Sequence, residues 1–162
     1  MELKELLKNK LTKEEFLLLP KSFDVVGSVA IFSDFPEELI KKEKIIANAL
    51  LEEHKNIKTV AKKIEFYKGK YRTPKIKIIF GEKTKETIHK ENNVLAKLNI
   101  ETCYFSPILA NERLRIVKLV KKNESVLVMF SGIGIYPLVI SKNSKAKEIY
   151  GIELNKEAHE YG

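Results

Sequence analysis

The segment from Ser125 to Glu153 constrains this chain more than any other. An apolar run, SVLVMF, gives way to Ser131-Gly132-Ile133-Gly134. A helical stretch follows to about Lys142, and a second run, EIYGI, leads to Glu153. Strand, glycine loop, helix, strand and terminal acid, in that order, open a doubly wound parallel sheet, because parallel strands need a crossover and the helix supplies it. SVLVMF reads as a buried strand. Gly132 and Gly134 let the backbone approach a ligand closely. Glu153, nineteen residues after Gly134, is placed to accept both hydroxyls of a ribose. The third glycine of the dinucleotide pattern would be residue 137, which is proline. NAD is therefore disfavoured, and an adenosine cofactor without a pyrophosphate, S-adenosylmethionine, is the natural candidate. The plainer alternative is a tight strand-to-helix turn with no ligand; the strand context and the placed Glu153 weigh against it.

Ahead of this segment the chain reads as a small mixed α+β domain, residues 1–104, followed by a partial nucleotide-binding domain, 105–162. Residues 1–20 read as short helices, with capping-box spacing in Thr12-Lys13-Glu14-Glu15. Residues 24–32 read as one strand with a glycine at a bulge. A helix is expected from about Pro36 to Glu53, capped near Ser33 or Asp34, with Leu39, Ile46, Ala49 and Leu50 on its apolar side. Strands are expected at 58–66 and 74–80, and a hairpin over 85–99 turning at Asn92-Asn93. Ser106 and Pro107 are expected to open a helix through about Lys122.

Charge narrows the partners. Thirty basic against 22 acidic residues give +8 and a pI near 9.4, a balance that favours polyanions. Twenty-seven of the thirty are lysines and twenty of the acids glutamates, so a solvated, thermophile-type surface accounts for most of the charge. The three arginines, Arg72, Arg113 and Arg115, mark places where a planar fork of donors matters. Arg72 lies in Lys68-Gly69-Lys70-Tyr71-Arg72, a basic loop with an aromatic, suited either to phosphate and base contact or to a solvated turn. Glu112 is spaced to fall on the apolar stripe of its helix with Ile108, Leu109 and Ile116. There it either pairs with Arg115 or has a raised pKa fit for a general base. His89 reads as structural or RNA-facing, and Cys103 as a packed small side chain. A lone cysteine excludes an internal disulfide and fits a reducing cytoplasm; three scattered histidines give no metal spacing; no run is long enough to span a bilayer.

The stretches KGKYRTPKIKIIFGE, ETIHKEN, YFSPILANERLRI, VLVMFSGIGIY and YGIELNKEAHEYG resemble, in order and spacing, the archaeal and eukaryotic tRNA guanine N1-methyltransferases. The related wybutosine aminocarboxypropyl transferases belong to the same family. The resemblance implies a class I methyltransferase (Rossmann-like) α/β fold, S-adenosylmethionine as cofactor and tRNA as partner. It implies that Arg72 contacts the target guanine and Glu112 is the general base. It also places Tyr104, Phe105, Ser106 and Arg113 around cofactor and base, and Phe130, Gly132, Gly134 and Glu153 on the cofactor. The Phe-Ser-Pro form points to the methyltransferase branch. Val128 stands where the family usually has an acid, Ile108 where it usually has an arginine, and Lys156 where it usually has a proline.

The expected function is methyl transfer to guanine N1 beside the anticodon, in the cytoplasm and with no membrane contact. The family's later strands and its Asn-Pro-Pro type motif lie outside this sequence. The chain alone is therefore expected to bind cofactor weakly and not to turn over without a C-terminal half or an oligomer partner. Aminocarboxypropyl transfer and a non-catalytic RNA-binding remnant are the alternatives.

Overall fold

The computed structural model describes the backbone of residues 3–162 and the side chains of residues 5–65 and 69–162. Two compact units emerge. One comprises residues up to Phe66 together with Lys75–Lys85, the other Tyr67–Pro74 and Glu86–Gly162. The units thus part at 85/86, with Tyr67–Pro74 joining the later one, where the sequence suggested a boundary at 104.

In the first unit, α1 (Leu3–Leu7) and α2 (Lys13–Leu17) are the expected short helices. Thr12 and Glu15 cap α2 reciprocally, with backbone-to-side-chain bonds of 2.9 and 3.2 Å, satisfying two donors left over at a helix start. The run 24–32, expected as one strand, is a hairpin: β1 (Asp24–Val26) and β2 (Val29–Phe32) pair antiparallel, Val26 opposite Val29. Gly27, at φ 57°, reverses the chain where a bulge was expected. β2 then pairs in parallel with β3 (Thr59–Lys68), Val29 against Thr59. The crossover this demands is a 3-10 turn, Glu37–Lys42, running into α3 (Glu43–Glu53). No side chain caps either helical segment, so Ser33 and Asp34 do not serve as expected. Leu39, Ile46, Ala49 and Leu50 are fully buried, in one core with Phe32, Val60 and Ile79. β4 (Thr73–Gly81) completes the order β1-β2-β3-β4.

In the second unit, β5 (Glu86–Glu91) and β6 (Val94–Asn99) form the expected hairpin. Asn92 and Asn93, at φ 45° and 65°, supply the consecutive left-handed residues that match strand twist in a two-residue turn. Asn92 donates to the Ala110 carbonyl, and Asn143 donates to the Asn92 carbonyl, both at 2.9 Å. These bonds bind the hairpin to the helices of this unit and explain why it is not divided from them. After a 3-10 turn (Pro107–Leu109), α4 runs from Ala110 to Leu119, three residues short of the expected end, and Ser106 makes no capping bond. β7 (Ser125–Met129), α5 (Ile135–Asn143) and β8 (Glu148–Ile152) form the expected parallel crossover, and Asn155 caps α6 (Lys156–Tyr161). β7 is not the buried strand expected. Leu127 and Met129 are 56% and 62% exposed, and their register partners Tyr150 and Ile152 are 56% exposed each. Side chains alternate between faces; α5 packs on β8, and this alternate set faces away from cover. No described helix is long and apolar enough to cross a membrane.

The core of the first unit holds one charged cluster. Glu43, buried, receives Lys62 Nζ at 2.5 Å and Lys77 Nζ at 2.9 Å on its two oxygens. Burial by itself would raise the Glu43 pKa, but the two ammonium groups outweigh it and hold the carboxyl below its usual value. Its contribution to stability is thus complete above the ordinary carboxylate pKa and is lost as pH falls through the lowered one. Glu43→Ala leaves Lys62 buried without its counter-ion and is expected to cost about 3 kcal/mol, most of it recovered by adding Lys62→Met. Urea unfolding followed by circular dichroism measures this; a midpoint unchanged by Glu43→Ala would mean that Lys62 reaches water.

Candidate functional site

The loop after β7 is built by backbone geometry. Phe130 takes φ 58° and Gly132 and Gly134 take 57° and 72°, three left-handed residues that turn the chain from strand into α5. For a phenylalanine this conformation costs about 1–2 kcal/mol, and its ring is 82% exposed. Buried Ile133 and Ile135 anchor the loop from below. The Ser131 N–H extends the β7–β8 ladder to the Ile152 carbonyl at 2.9 Å, and the Gly134 N–H closes on the Ser131 carbonyl at 3.0 Å. Glu153 leaves the end of β8 and takes the N–H of Gly132 on Oε2 and that of Asn155 on Oε1, each at 2.7 Å. These bonds use about half of a carboxylate's acceptor capacity.

Within the second unit, Arg72, Tyr104, Phe130, Gly132 and Glu153 line one cavity of about 400 Å³, joined by Lys70, Tyr71, Leu154, Asn155 and Ala158. Five residues singled out from the sequence thus meet. Arg72, itself left-handed at φ 53°, ends the turn that its N–H closes onto the Gly69 carbonyl at 3.2 Å. Lys70 lies 4.8 Å from the Tyr71 ring centroid. Lys68, the third cation of this loop, has its side chain outside the described residues. Gly134 faces a separate cavity of about 450 Å³ and serves as the N-cap of α5.

Phe105, Ser106, Arg113 and Glu112 lie elsewhere. Arg113 is 2% exposed, and its Nε and Nη2 bind the two oxygens of Glu91 at 2.5 and 2.7 Å. The buried side of α4 runs through Arg113 and Val117, while Ile108 is 78% exposed. The stripe is therefore rotated from the one expected through Ile108, Glu112 and Ile116. It can be so because Glu91 neutralises the buried arginine. Glu112 stands on the helix surface, gripped by Arg115 through two bonds of 2.7 Å, and does not line the cavity. Of the two expected outcomes, pairing is the one found. His89 is structural: its ring meets Phe105 at 4.8 Å and its Nε2 lies 3.4 Å from Glu91. Cys103 is buried as expected. Sequence reasoning missed Glu91 and Asn155 as site-building groups. An acid on the inward face of β5, in phase with buried Thr87, was the available sign for the first.

The TRM5/TYW2 methyltransferase domain family matches residues 87–161, and the TYW2 N-terminal domain family matches residues 3–84. The break between them coincides with the division of the structure at 85/86. The tRNA (guanine(37)-N(1))-methyltransferase Trm5b of Pyrococcus abyssi is 41% identical over 143 residues, 88% of this chain and 42% of the relative. The solved complex of aTrm5 and tRNALeu matches with a TM-score of 0.85 at 33% identity, over 99% of this chain and 47% of that one. Pyrococcus horikoshii TYW2 in complex with MeSAdo matches with a TM-score of 0.76 at 31% identity, over 98% and 55%. The chain spans about half the length of these relatives.

The Glu112–Arg115 pair has a measurable electrostatic consequence. Hydrogen bonding from Arg115 holds the Glu112 carboxyl below its ordinary pKa, against a small opposing effect of burial. In Arg115→Met the Glu112 carboxyl is expected to titrate higher than in the wild type, back toward the ordinary value. Carbon-detected magnetic resonance of the side-chain carboxyl reads this directly. Identical titration in both proteins would mean the pair does not persist in solution.

Proposed function

The chain belongs to the TRM5/TYW2 family, and on that premise we propose that it serves methyl transfer from S-adenosylmethionine to N1 of a tRNA guanine beside the anticodon. One observation carries the reading. The Glu153 carboxylate, fixed by two backbone N–H groups, lines the same cavity as Gly132, Tyr104, Phe130 and Arg72. This donor set fits an adenosine cofactor. Glu153 has acceptor capacity left for vicinal ribose hydroxyls, Gly132 admits close approach, and Tyr104 and Phe130 offer aromatic faces. When bound, S-adenosylmethionine supplies a methyl group on positively charged sulfur.

The remaining roles fall to the chain's own side chains. Arg72 would clamp the target base, since its fork of donors suits the acceptor edge of guanine, and Lys70 would neutralise a neighbouring phosphate. Guanine N1 must lose its proton as the nitrogen is alkylated, and Glu112 is the acceptor carried over from the family. To take that proton Glu112 must first be released by Arg115 and brought within hydrogen-bond reach of the base. Gly134 would act indirectly, by starting α5. A tRNA substrate implies a cytoplasmic location. The match of residues 3–84 to the TYW2 N-terminal domain favours one second reading, aminocarboxypropyl transfer from the same cofactor to the same region of tRNA.

Calorimetric titration is expected to show weak S-adenosylmethionine binding by this chain, reduced about tenfold or more in Glu153→Gln through loss of charge-assisted bonds to the ribose. Equal affinity in the variant sinks the cofactor assignment. tRNA binding is expected to weaken steeply with salt, and Lys70→Ala with Arg72→Ala to flatten that dependence by about one phosphate contact, that of Lys70, while the lost base clamp weakens binding at every salt concentration. Unchanged slopes return the loop to a solvated turn. Supplemented with the C-terminal half of a Trm5b relative, the chain should modify tRNA, and the mass of the nucleoside formed separates methyl from aminocarboxypropyl transfer.

A further inference from the structure

Arg113 is among the largest fully buried side chains among the described residues, and it lies outside the cavity that Tyr104, Phe130 and Glu153 line. A guanidinium taken out of water must have its donors satisfied and its charge matched. Glu91 does the second, in a two-point bond through Nε and Nη2 at 2.5 and 2.7 Å. The same Nη2 also donates to the Ser106 carbonyl at 3.0 Å. The guanidinium carbon lies 5.5 Å from both the Phe105 and the Tyr136 ring centroids, so aromatic faces offset part of the lost hydration. Burial outweighs the neighbouring carboxylate and pushes the His89 imidazole below its usual pKa. His89 is then neutral at neutral pH and leaves the Glu91 charge to Arg113.

The contacts converge on two consecutive residues, Phe105 and Ser106. Arg113 holds Ser106 by its carbonyl and Phe105 by its ring, and the His89 ring meets the Phe105 ring as well. Tyr104, next in line, enters the cavity, and its carbonyl oxygen stands 3.7 Å from where a Cβ on Gly132 would be. Tyr104 thus lies against the glycine loop as part of the cavity wall, and the two residues after it, outside the cavity, are held by Arg113. We propose that Arg113 is a positioning residue: clamped by Glu91, it holds Phe105 and Ser106, fixes through them the Tyr104 wall of the candidate cofactor cavity, and does not touch the cofactor. This replaces the role at the cofactor and base that the family resemblance suggests for Arg113. The planar fork is what the task requires, because one group must meet a carboxylate at two points and a carbonyl at a third. Lysine keeps the charge and loses that geometry. The inference rests on the cavity's reading as an S-adenosylmethionine site only for its second test.

Arg113→Lys in the full chain is the variant to make. Without ligand, amide exchange is expected to accelerate across residues 103–109, where the Leu109 N–H bonds the Ser106 carbonyl, while β5 and β6 keep wild-type protection. Acceleration spread evenly over the second unit would mark a merely structural role and overturn the proposal, as would no acceleration at all. With S-adenosylhomocysteine as the calorimetric probe, the variant should bind roughly tenfold more weakly. Tyr104→Ala should weaken the wild type but add little to Arg113→Lys, because the wall is already displaced. Additive losses, or wild-type affinity in folded Arg113→Lys, refute the positioning role. If the wild type does not bind the probe, the cofactor reading fails, and the exchange experiment alone decides for or against the wall. Should Arg113→Lys not fold, Glu91→Gln, which keeps the shape and removes the charge, is read by the same two measurements.

Discussion

Two hydrogen bonds to one carboxylate hold the second unit's candidate site together. Glu153 accepts from Gly132, in the loop after β7, and from Asn155, at the start of α6. Each is charge-assisted, a class worth roughly 1.5–3 kcal/mol. Asn155 carries the constraint onward by donating to the Thr102 carbonyl at 2.7 Å, and Glu157, the second residue of α6, accepts from the Thr102 hydroxyl. The glycine loop, the end of β8, the helix after it and the chain just before Tyr104 are thereby tied to one another. A residue that would bind ribose is first a brace. Its remaining acceptor positions are pre-aimed because the other two are already in use.

The sequence displayed local chemistry well and cross-chain pairing poorly. Asn92-Asn93, the capping box at Thr12 and the Gly-x-Gly loop before a helix each specify a turn by their own backbone preferences, and each stands where expected. The crossover from β7 to β8 followed from the same logic, and Glu153 with it. The hairpin inside residues 24–32 was hidden because Gly27 suits a bulge or a reversal equally, and only the partner strand decides. The rotated stripe of α4 was hidden for a different reason. Arginine counts as polar in any periodicity, and Arg113 is buried only because Glu91, 22 residues away, meets it. The division at 85/86 is hidden because hairpin 86–99 reads like the strands before it, and its allegiance rests on long-range side-chain bonds, those of Asn92 and Asn143 and the Glu91–Arg113 pair among them.

Both units place a glutamate under apolar cover and match it with cations from other elements. Glu43 is met by Lys62 and Lys77, from β3 and β4; Glu91 is met by Arg113, from α4. Such pairs add little net stability over a well-packed apolar core, but a mispacked alternative leaves a bare charge in low dielectric. Alternative packings of the same helices are penalised more than the native one is favoured. That asymmetry suits a site whose walls must be set to fractions of an ångström.

The face formed by Leu127, Met129, Tyr150 and Ile152 gives the chain the character of a charge-stabilised colloid. Its net charge of +8 holds like molecules apart across the ion atmosphere, while an apolar face of β7 and β8, wherever it stays uncovered, favours contact with another apolar surface. The two terms respond oppositely to electrolyte. Screening shrinks the repulsive reach from about 10 Å at 0.1 M to about 3 Å at 1 M, and sulfate or phosphate strengthens apolar adhesion over the same range. Where the face is uncovered, dilute buffer is thus the better solvent and concentrated salt the poorer one, and the salt that screens the charge is also the salt that drives this sheet toward cover.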